Sequence, residues 1–439
     1  MSTIAENLQK LITAKTNIRN AILDMGGTCP SDHGFEDFDD DIDSIPSGSG
    51  TCLTFKGTKS FTLKTYNTSK NWDGTLQYST DGSTWTTWDG VTTISSTSSS
   101  PYVLYLRGTG NTYITGTNDA NGRFQFTTTG TIDCIGRIDT LLDYQTVENS
   151  GTPTMASYCY YSMFYNCTSL TSAPALPATT LATYCYCFMF NGCTSLTTTP
   201  ALPATTLANY CYGYMFRGCT ALVDPPGVLP ATTLASNCYA YMFYNCTSLT
   251  SAPALPATRL ATSCYQDMFY GCTSLTSAPA LPATTLASSC YHSMFYNCTS
   301  LTSAPGLPAT TLASYCYYYM FYGCTSLLYI SKGLPATTLA TYCYGYMFEG
   351  CTSLRYLTGL PATTLADYCY YRMFYGCTAL KLSSKQVNSY PMPYKIPSSG
   401  TGTAGTSSLS NMFTGTGGTF TGTPTINKAY YVHMDNLWW

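Results

Sequence analysis

Between Ser157 and Leu380 one pattern is written nine times, and this periodicity restricts the possible folds more than any other feature of the chain. A clear copy reads Cys290-Tyr-His-Ser-Met-Phe-Tyr-Asn-Cys298-Thr-Ser-Leu301-Thr-Ser-Ala-Pro-Gly-Leu307-Pro-Ala-Thr-Thr-Leu312. The first cysteines are Cys159, Cys185, Cys211, Cys238, Cys264, Cys290, Cys316, Cys343 and Cys369, so the copies are 26 or 27 residues apart. A unit this short cannot bury its own apolar face, and stacking on its neighbours yields a solenoid. Each 27-residue step carries its extra residue near Asp224-Pro225-Pro226 or Ile330-Ser331-Lys332, where a turn can absorb it.

Within a copy, Ser, Thr, Asn or Asp stands two residues before the first cysteine (Ser157, Thr183 and Asn209 in the first three), a preferred helix start. Seven residues after that cysteine comes Asn or Gly (Asn166, Gly192, Gly218), which tolerate the left-handed conformation that ends a helix. Cys159, Met163 and Cys167 then fall at i, i+4 and i+8, so a two-turn helix is expected. Thr-x-Leu-Thr-Ser and Ala-Thr-Thr-Leu-Ala read as short strands separated by a Pro-containing turn such as Ala173-Pro174-Ala175-Leu176-Pro177. The expected fold is mainly β with short helices. A copy with Leu-Thr-Ser-x-Pro and a short aromatic segment ending in Phe-Tyr-Gly-Cys-Thr-Ser-Leu resembles the BspA-type leucine-rich repeats of bacterial surface proteins. The resemblance implies stacked coils with parallel ladders and brings no catalytic residue.

Eighteen of the 22 cysteines lie in the two repeat columns. Eight helical positions separate the two in one copy, and stacked copies keep their Cβ atoms parallel rather than converging, so both columns read as buried thiols. Cys29, Cys52, Cys134 and Cys187 stand outside the columns, and nothing in the sequence pairs them.

Four regions are expected: a helical attachment or oligomerisation segment over 1–46, a β-sandwich over 51–150, the solenoid over 151–390 and a cap over 391–439. In the first, Ile4, Leu8, Leu11, Ile18, Ile22 and Met25 follow a heptad broken at Lys15, between a Thr3/Glu6 capping box and Gly26-Gly27. Asp39, Asp41 and Asp43 have calcium-loop spacing, but Ser44 replaces the needed Gly, so they read as a solvated face. Helix, Gly turn and acidic-aromatic helix together resemble the N-terminal segment of tailed-bacteriophage structural proteins. After the linker Ser47-Gly48-Ser49-Gly50, alternating runs such as Thr75-Leu-Gln-Tyr-Ser79 and Phe124-Gln-Phe-Thr127 are divided by turns at Asp73, Asp81 and Asp89. Trp72, Trp85 and Trp88 lie there, as core residues or as sugar-binding faces. Sandwich followed by repeats resembles gut bacterial surface proteins. In the cap, Leu409-Ser-Asn-Met-Phe-Thr-Gly415 echoes the repeat.

Charged residues are 9% of the chain and the net charge is -3, which argues against a nucleic-acid partner. No apolar run is long enough to span a bilayer as a helix, and residues 1–8 lack the regions of a secretory signal. The three histidines, His33, His292 and His433, are far apart, and the acids of the repeats are isolated, so neither an enzyme nor a cofactor or metal site is expected. The expected protein is a phage virion fibre or appendage, joined to other virion proteins and to its own copies through residues 1–46, that recognises a host-surface glycan or protein. A bacterial cell-surface adhesin is the alternative, and a crystal-matching binder built on the Thr ladders a third class.

The recognition surface is expected where the copies differ. These positions are Tyr161 and Tyr165 in the first copy, Tyr214 in the third, Tyr241 and Tyr244 in the fourth, and His292 and Tyr296 in the sixth. Tyr318, Tyr319 and Tyr322 follow in the seventh, Tyr346 in the eighth, and Tyr371, Arg372 and Tyr375 in the ninth. Variation among copies, with Ser162 and Ser293 at the same positions, predicts solvent exposure, and tyrosine offers a large contact area at low entropic cost.

Overall fold

The computed structural model describes residues 52–67, 69–116, 122–330, 333–356 and 359–436. The heptad positions Ile4 to Met25, the rest of 1–46 and the two C-terminal tryptophans lie outside them.

Two antiparallel sheets come first. The larger has the order β4-β3-β6-β1-β8, from β1 (Leu53–Gly57), β3 (Thr75–Ser79), β4 (Thr86–Trp88), β6 (Tyr102–Thr109) and β8 (Ile132–Ile135). The smaller is β5-β2-β7, from β2 (Thr62–Thr65), β5 (Ile94–Ser95) and β7 (Phe124–Thr127). Inward residues of both sheets meet at Phe55 and Phe126, whose ring centroids are 5.0 Å apart. Asp81 and Asp89 fasten their turns by accepting backbone N–H groups, Thr84 at 2.7 Å and Thr92 at 2.7 Å. Asp73 instead reaches across to Thr112, whose N–H and hydroxyl it accepts at 2.9 and 2.7 Å. One short helix, α1 (Thr140–Glu148), leads towards the repeats.

In the repeats the expected helices are absent: between residues 157 and 380, no described residue is α-helical. Each of these segments is a string of turns with positive φ at every fourth residue: Tyr158 (59°), Ser162 (55°) and Asn166 (58°), then Tyr184 (57°), Phe188 (58°) and Gly192 (75°). Alternate N–H groups bond locally, as Tyr161 to Tyr158 O at 3.2 Å and Met163 to Tyr160 O at 3.2 Å. The others donate along the solenoid axis: Tyr160 to Cys185 O at 2.8 Å, Ser162 to Cys187 O at 2.9 Å and Phe164 to Met189 O at 2.9 Å. A non-glycine left-handed residue costs about 1–2 kcal/mol. The strain is carried by the cross-coil bonds, about 1 kcal/mol each, and by burial worth about 1.5–3 kcal/mol per large apolar side chain.

That burial is columnar. Phe164, Phe190, Phe216 and their successors stack nearly parallel, centroids 5.3 and 5.5 Å apart in the first pairs, and the Met163 and Leu170 columns beside them are sealed from solvent. Tyr160, Tyr186 and Tyr212 form a second sealed column at 5.5 and 5.7 Å. The expected strands shrink to single parallel bridges, such as Thr180 to Thr206 and Thr311 to Thr338. Prolines without an N–H flank them and keep the ladder short. Among the described repeat residues a longer pair forms only where β9 (Ser303–Ala304) meets β10 (Tyr329–Ile330).

Both ends of the array are closed. On the N-terminal side the two-sheet unit supplies the missing neighbour: Phe124 donates its N–H to Met163 O at 2.7 Å, Ile132 bridges Leu170, and Ala175 donates to Gly136 O at 2.8 Å. At the other end the columns run on into Met412 and Phe413, with Phe374 donating to Met412 O at 3.0 Å and the Phe374 and Phe413 rings 5.6 Å apart. The cap is therefore more regular than the sequence suggests. A four-stranded sheet of order β12-β14-β11-β13 covers it, from β11 (Lys381–Ser383), β12 (Met392–Lys395), β13 (Gly417–Gly418) and β14 (Ala429–Val432).

Candidate recognition surface

The turn segments carry the variable side chains to one side of the array. Tyr161, Tyr165, Tyr214, Tyr241, Tyr244, His292, Tyr296, Tyr318, Tyr319, Tyr322, Tyr346, Tyr371, Arg372 and Tyr375 all lie there, each half-buried rather than exposed. They are half-buried because they cover one another. Tyr214 and Tyr241 stack at 4.4 Å, and Tyr244, Tyr270, Tyr296 and Tyr322 form a column at 4.5, 4.4 and 4.5 Å. Faces are consumed by neighbours, and edges and hydroxyls remain outward. Variation does not always mean exposure: Ser162 is 2% exposed, Ser293 4% and Asp267 7%, because short side chains sink between larger neighbours one coil away. The exposed columns are the threonines of the bridging segment, among them Thr180, Thr206, Thr285 and Thr311.

Charge is sparse on this side, and each charged group has company. Arg372 pairs with Glu349 at 2.7 Å and lies 3.9 Å from the centroid of the Tyr375 ring. Burial pushes the Asp267 carboxyl up to about 6, although contacts with Gln266, Tyr241 and Ser293 act the other way. Burial likewise pulls the His292 imidazole down to about 4, and its Nδ1 has no hydrogen-bond partner within the protein.

The cysteines point inward. From Cys193 to Cys377 each thiol of the second column donates to a phenylalanine carbonyl of the preceding coil, Cys193 to Phe164 O at 3.0 Å and Cys246 to Phe216 O at 3.1 Å. Cys167, the first of them, donates to Phe124 O of β7 at 3.3 Å. Desolvation raises the thiols, Cys167 to about 12, so they stay protonated and unreactive. The helical separation expected of the two columns does not apply, since the described repeat residues form no helix; the carbonyl contacts take its place in fixing each thiol. No disulfide joins the cysteines of the described residues. Among those residues no group of three or more His, Cys, Asp or Glu is placed to hold a metal ion.

The tryptophans divide. Trp72 and Trp88 are buried, with centroids 5.6 Å apart, and Trp88 Nε1 donates to Thr92 O at 2.8 Å. They line a cleft of about 450 Å³ beside β3 and β4. Trp85 has its face occupied by the Arg107 guanidinium at 4.0 Å, which also lies 4.1 Å from the Tyr144 centroid. Trp72 and Trp88 thus pack as core residues, and one face of Trp85 is taken by a guanidinium.

The profile of a family described as BspA type leucine rich repeat region matches in six copies, over residues 144–249 and 236–381. Among solved structures, a leucine-rich repeat protein from Bacteroides ovatus ATCC 8483 is 20% identical over 50% of this chain and 60% of that one, with a TM-score of 0.26. The search of curated proteins returned no match. No helix among the described residues is long and apolar enough to cross a membrane.

Proposed function

Since the chain belongs to the BspA-type leucine-rich repeat family, matched across residues 144–381, we propose that it is a recognition protein of the bacterial cell-surface type, which binds a glycan or protein through the turn side of its repeat array. The observation that carries this reading is the division of labour within each coil. Cys, Met, Phe and Leu columns are sealed and constant, while the outward turn positions vary in size, charge and aromaticity on a fixed backbone. A rigid array with variable tyrosine-rich positions is suited to contact and has no evident use in catalysis. The family favours the cell-surface alternative over the virion appendage, to which it lends no support. The heptad Ile4 to Met25 keeps its proposed role as an attachment or self-association element.

The test is retention of the purified chain on immobilised mucin and extracellular-matrix proteins, compared with the triple variant Tyr318→Ser, Tyr319→Ser and Tyr322→Ser. Tyr318 and Tyr319 have centroids 4.3 Å apart, and Tyr322 ends the column that includes Tyr296, so the triple change removes one contiguous aromatic patch. Retention by the parent and its loss in a folded variant supports the reading. Equal retention by both moves the contact elsewhere, to the exposed threonine side or another region.

A further inference from the structure

One aromatic column changes character midway along the array. Tyr158, Tyr184 and Tyr210 stack at 4.8 and 4.7 Å, and Tyr315, Tyr342 and Tyr368 stack at 5.1 and 4.5 Å. Between the two groups the same position is held by Asn237, Ser263 and Ser289. Tyr315 therefore has no ring against its N-terminal side and is 38% exposed, whereas Tyr342, with a ring on each side, is half-buried. Four coil steps of about 4.8 Å separate Tyr210 from Tyr315, about 19 Å between ring planes, room for about three pyranose rings.

The residues beside this gap are polar. Gln266 Nε2 donates to the Tyr241 hydroxyl at 2.9 Å, and the Asp267 carboxyl meets Tyr241, Gln266 and Ser293. The His292 ring lies 5.3 Å from Tyr318, with its Nδ1 sealed from solvent and unbonded, so that only its Nε2 edge can serve a ligand. Tyr270 and Tyr296, stacked at 4.4 Å, continue the aromatic side past the gap. Arg217, a nearby cation, is held 5.1 Å from the centroid of the Tyr244 ring.

We propose that the gap between Tyr210 and Tyr315 is a binding notch for a neutral oligosaccharide, one sugar stacked on the open face of Tyr315 and its neighbours hydrogen-bonded to Gln266, Asp267 and His292. The notch rests on the recognition reading above and deepens it. The apolar face of a pyranose matches an open aromatic ring, and a carboxyl, an amide and an imidazole offer both acceptors and donors to adjacent hydroxyls. A carboxyl on the floor, with Arg217 turned to the Tyr244 ring, disfavours phosphorylated or acidic sugars. An extended peptide would need free backbone groups, and here the N–H groups of Ser263, Asp267 and Ser289 are spent on the next coil, at 3.0, 2.9 and 3.1 Å.

The full chain is titrated calorimetrically with maltotriose, cellotriose, mannotriose and the N-acetylglucosamine trimer. At least one should bind. Tyr315→Ala should then weaken binding about tenfold or more, as loss of an aromatic anchor does. Ser289→Tyr, which extends the ring column into the gap, should abolish it, and Asp267→Asn should weaken it without moving the melting temperature downward. Tyr184→Ala, in the same column outside the gap, should bind as the parent does. Binding undiminished in Ser289→Tyr, or lost equally in Tyr184→Ala, overturns the notch. Extended peptides bound in place of sugars, and blocked by Ser289→Tyr, overturn the saccharide assignment. Retention on mucin with no trisaccharide bound overturns the notch and leaves the recognition reading standing, while absence of both removes the two together.

Discussion

The two-sheet unit and the repeat array bury similar side chains by opposite means. In the first, register comes from backbone pairing: β1 and β6 match over five residue pairs, and Asp81 and Asp89 lock the turns through backbone N–H groups. In the second, backbone pairing between bridging segments is reduced to single contacts, and register comes from side-chain columns together with N–H groups that leave every second turn residue along the axis. A strand ladder tolerates any residue that fits its face. A turn ladder demands particular residues at particular φ, and its failures should accordingly be sharper.

The largest expected contrast is at glycine. A Cβ on Gly192, at φ 75°, would lie 2.0 Å from Asn166 Oδ1, whereas a Cβ on Gly110 in the two-sheet unit, at φ 64°, would meet nothing within 4 Å. Gly192→Ala should cost about 2–3 kcal/mol in denaturant unfolding, and Gly110→Ala only the backbone strain of about 1 kcal/mol. Adding Asn166→Gly to Gly192→Ala should recover the difference. Equal costs at the two sites would erase the contrast.

Cysteine comes next. Cys246 and Cys134 are both sealed, but only Cys246 sits in a column with its thiol 3.1 Å from a carbonyl, that of Phe216. Cys246→Ala should cost about 2 kcal/mol and Cys134→Ala about 1 kcal/mol. In the native protein, alkylation of the columns should stay negligible through pH 9, because burial holds thiols such as Cys167 protonated to about 12. Rapid native labelling at pH 8 would show that the columns open.

The last contrast is in pH dependence, which should run in opposite directions. Asp81 is held below the usual carboxylate range by the Thr84 and Ser83 N–H groups and the Ser79 hydroxyl, so its contribution is present above pH 4 and fades as pH falls. Asp267 is raised, from 3.8 to about 6, so its contribution is full below pH 3.8 and is lost as pH rises through 6. Asp267→Asn should therefore stabilise the array at pH 7 by about 1–2 kcal/mol, and not at pH 3.5. His292 is lowered, so its contribution is present above 6.5 and is lost as pH falls through about 4, which a His292→Gln variant separates from Asp267.

Much of this was legible in the sequence. The repeat spacing gives the stacking, β3 and β7 fall on the alternating runs Thr75–Ser79 and Phe124–Thr127, and the Asn or Gly seven residues after each first cysteine does adopt positive φ. The turn ladder was not legible, for a physical reason. Cys159, Met163 and Cys167 recur every four residues, which is both the period of a helix face and the period of successive turns that each return side chains to the core, such as the pairs Cys159-Tyr160 and Met163-Phe164. Tyr158 and Ser162 give no warning, because neither residue type favours the left-handed conformation they adopt; the neighbouring coil imposes it. Phe124 and Ile132, which stand in for a preceding coil, also escaped notice, since they lie outside the repeat spacing. The candidate surface was less legible: the variable tyrosines were expected to face solvent, but they are half-buried against one another, and this stacking, like the gap at Asn237, Ser263 and Ser289, depends on reading the columns across coils rather than along them.

The most direct test of the central claim, that stacked turns and not helices carry the repeat columns, is a crystallographic determination of φ at Ser162, Tyr214 and Tyr241. Positive values near 55°, 58° and 59°, with the N–H groups of Tyr160, Ser162 and Phe164 each donating to the next coil, are the expected result. Negative helical φ at these residues, with N–H groups bonded four residues back along their own coil, would contradict it.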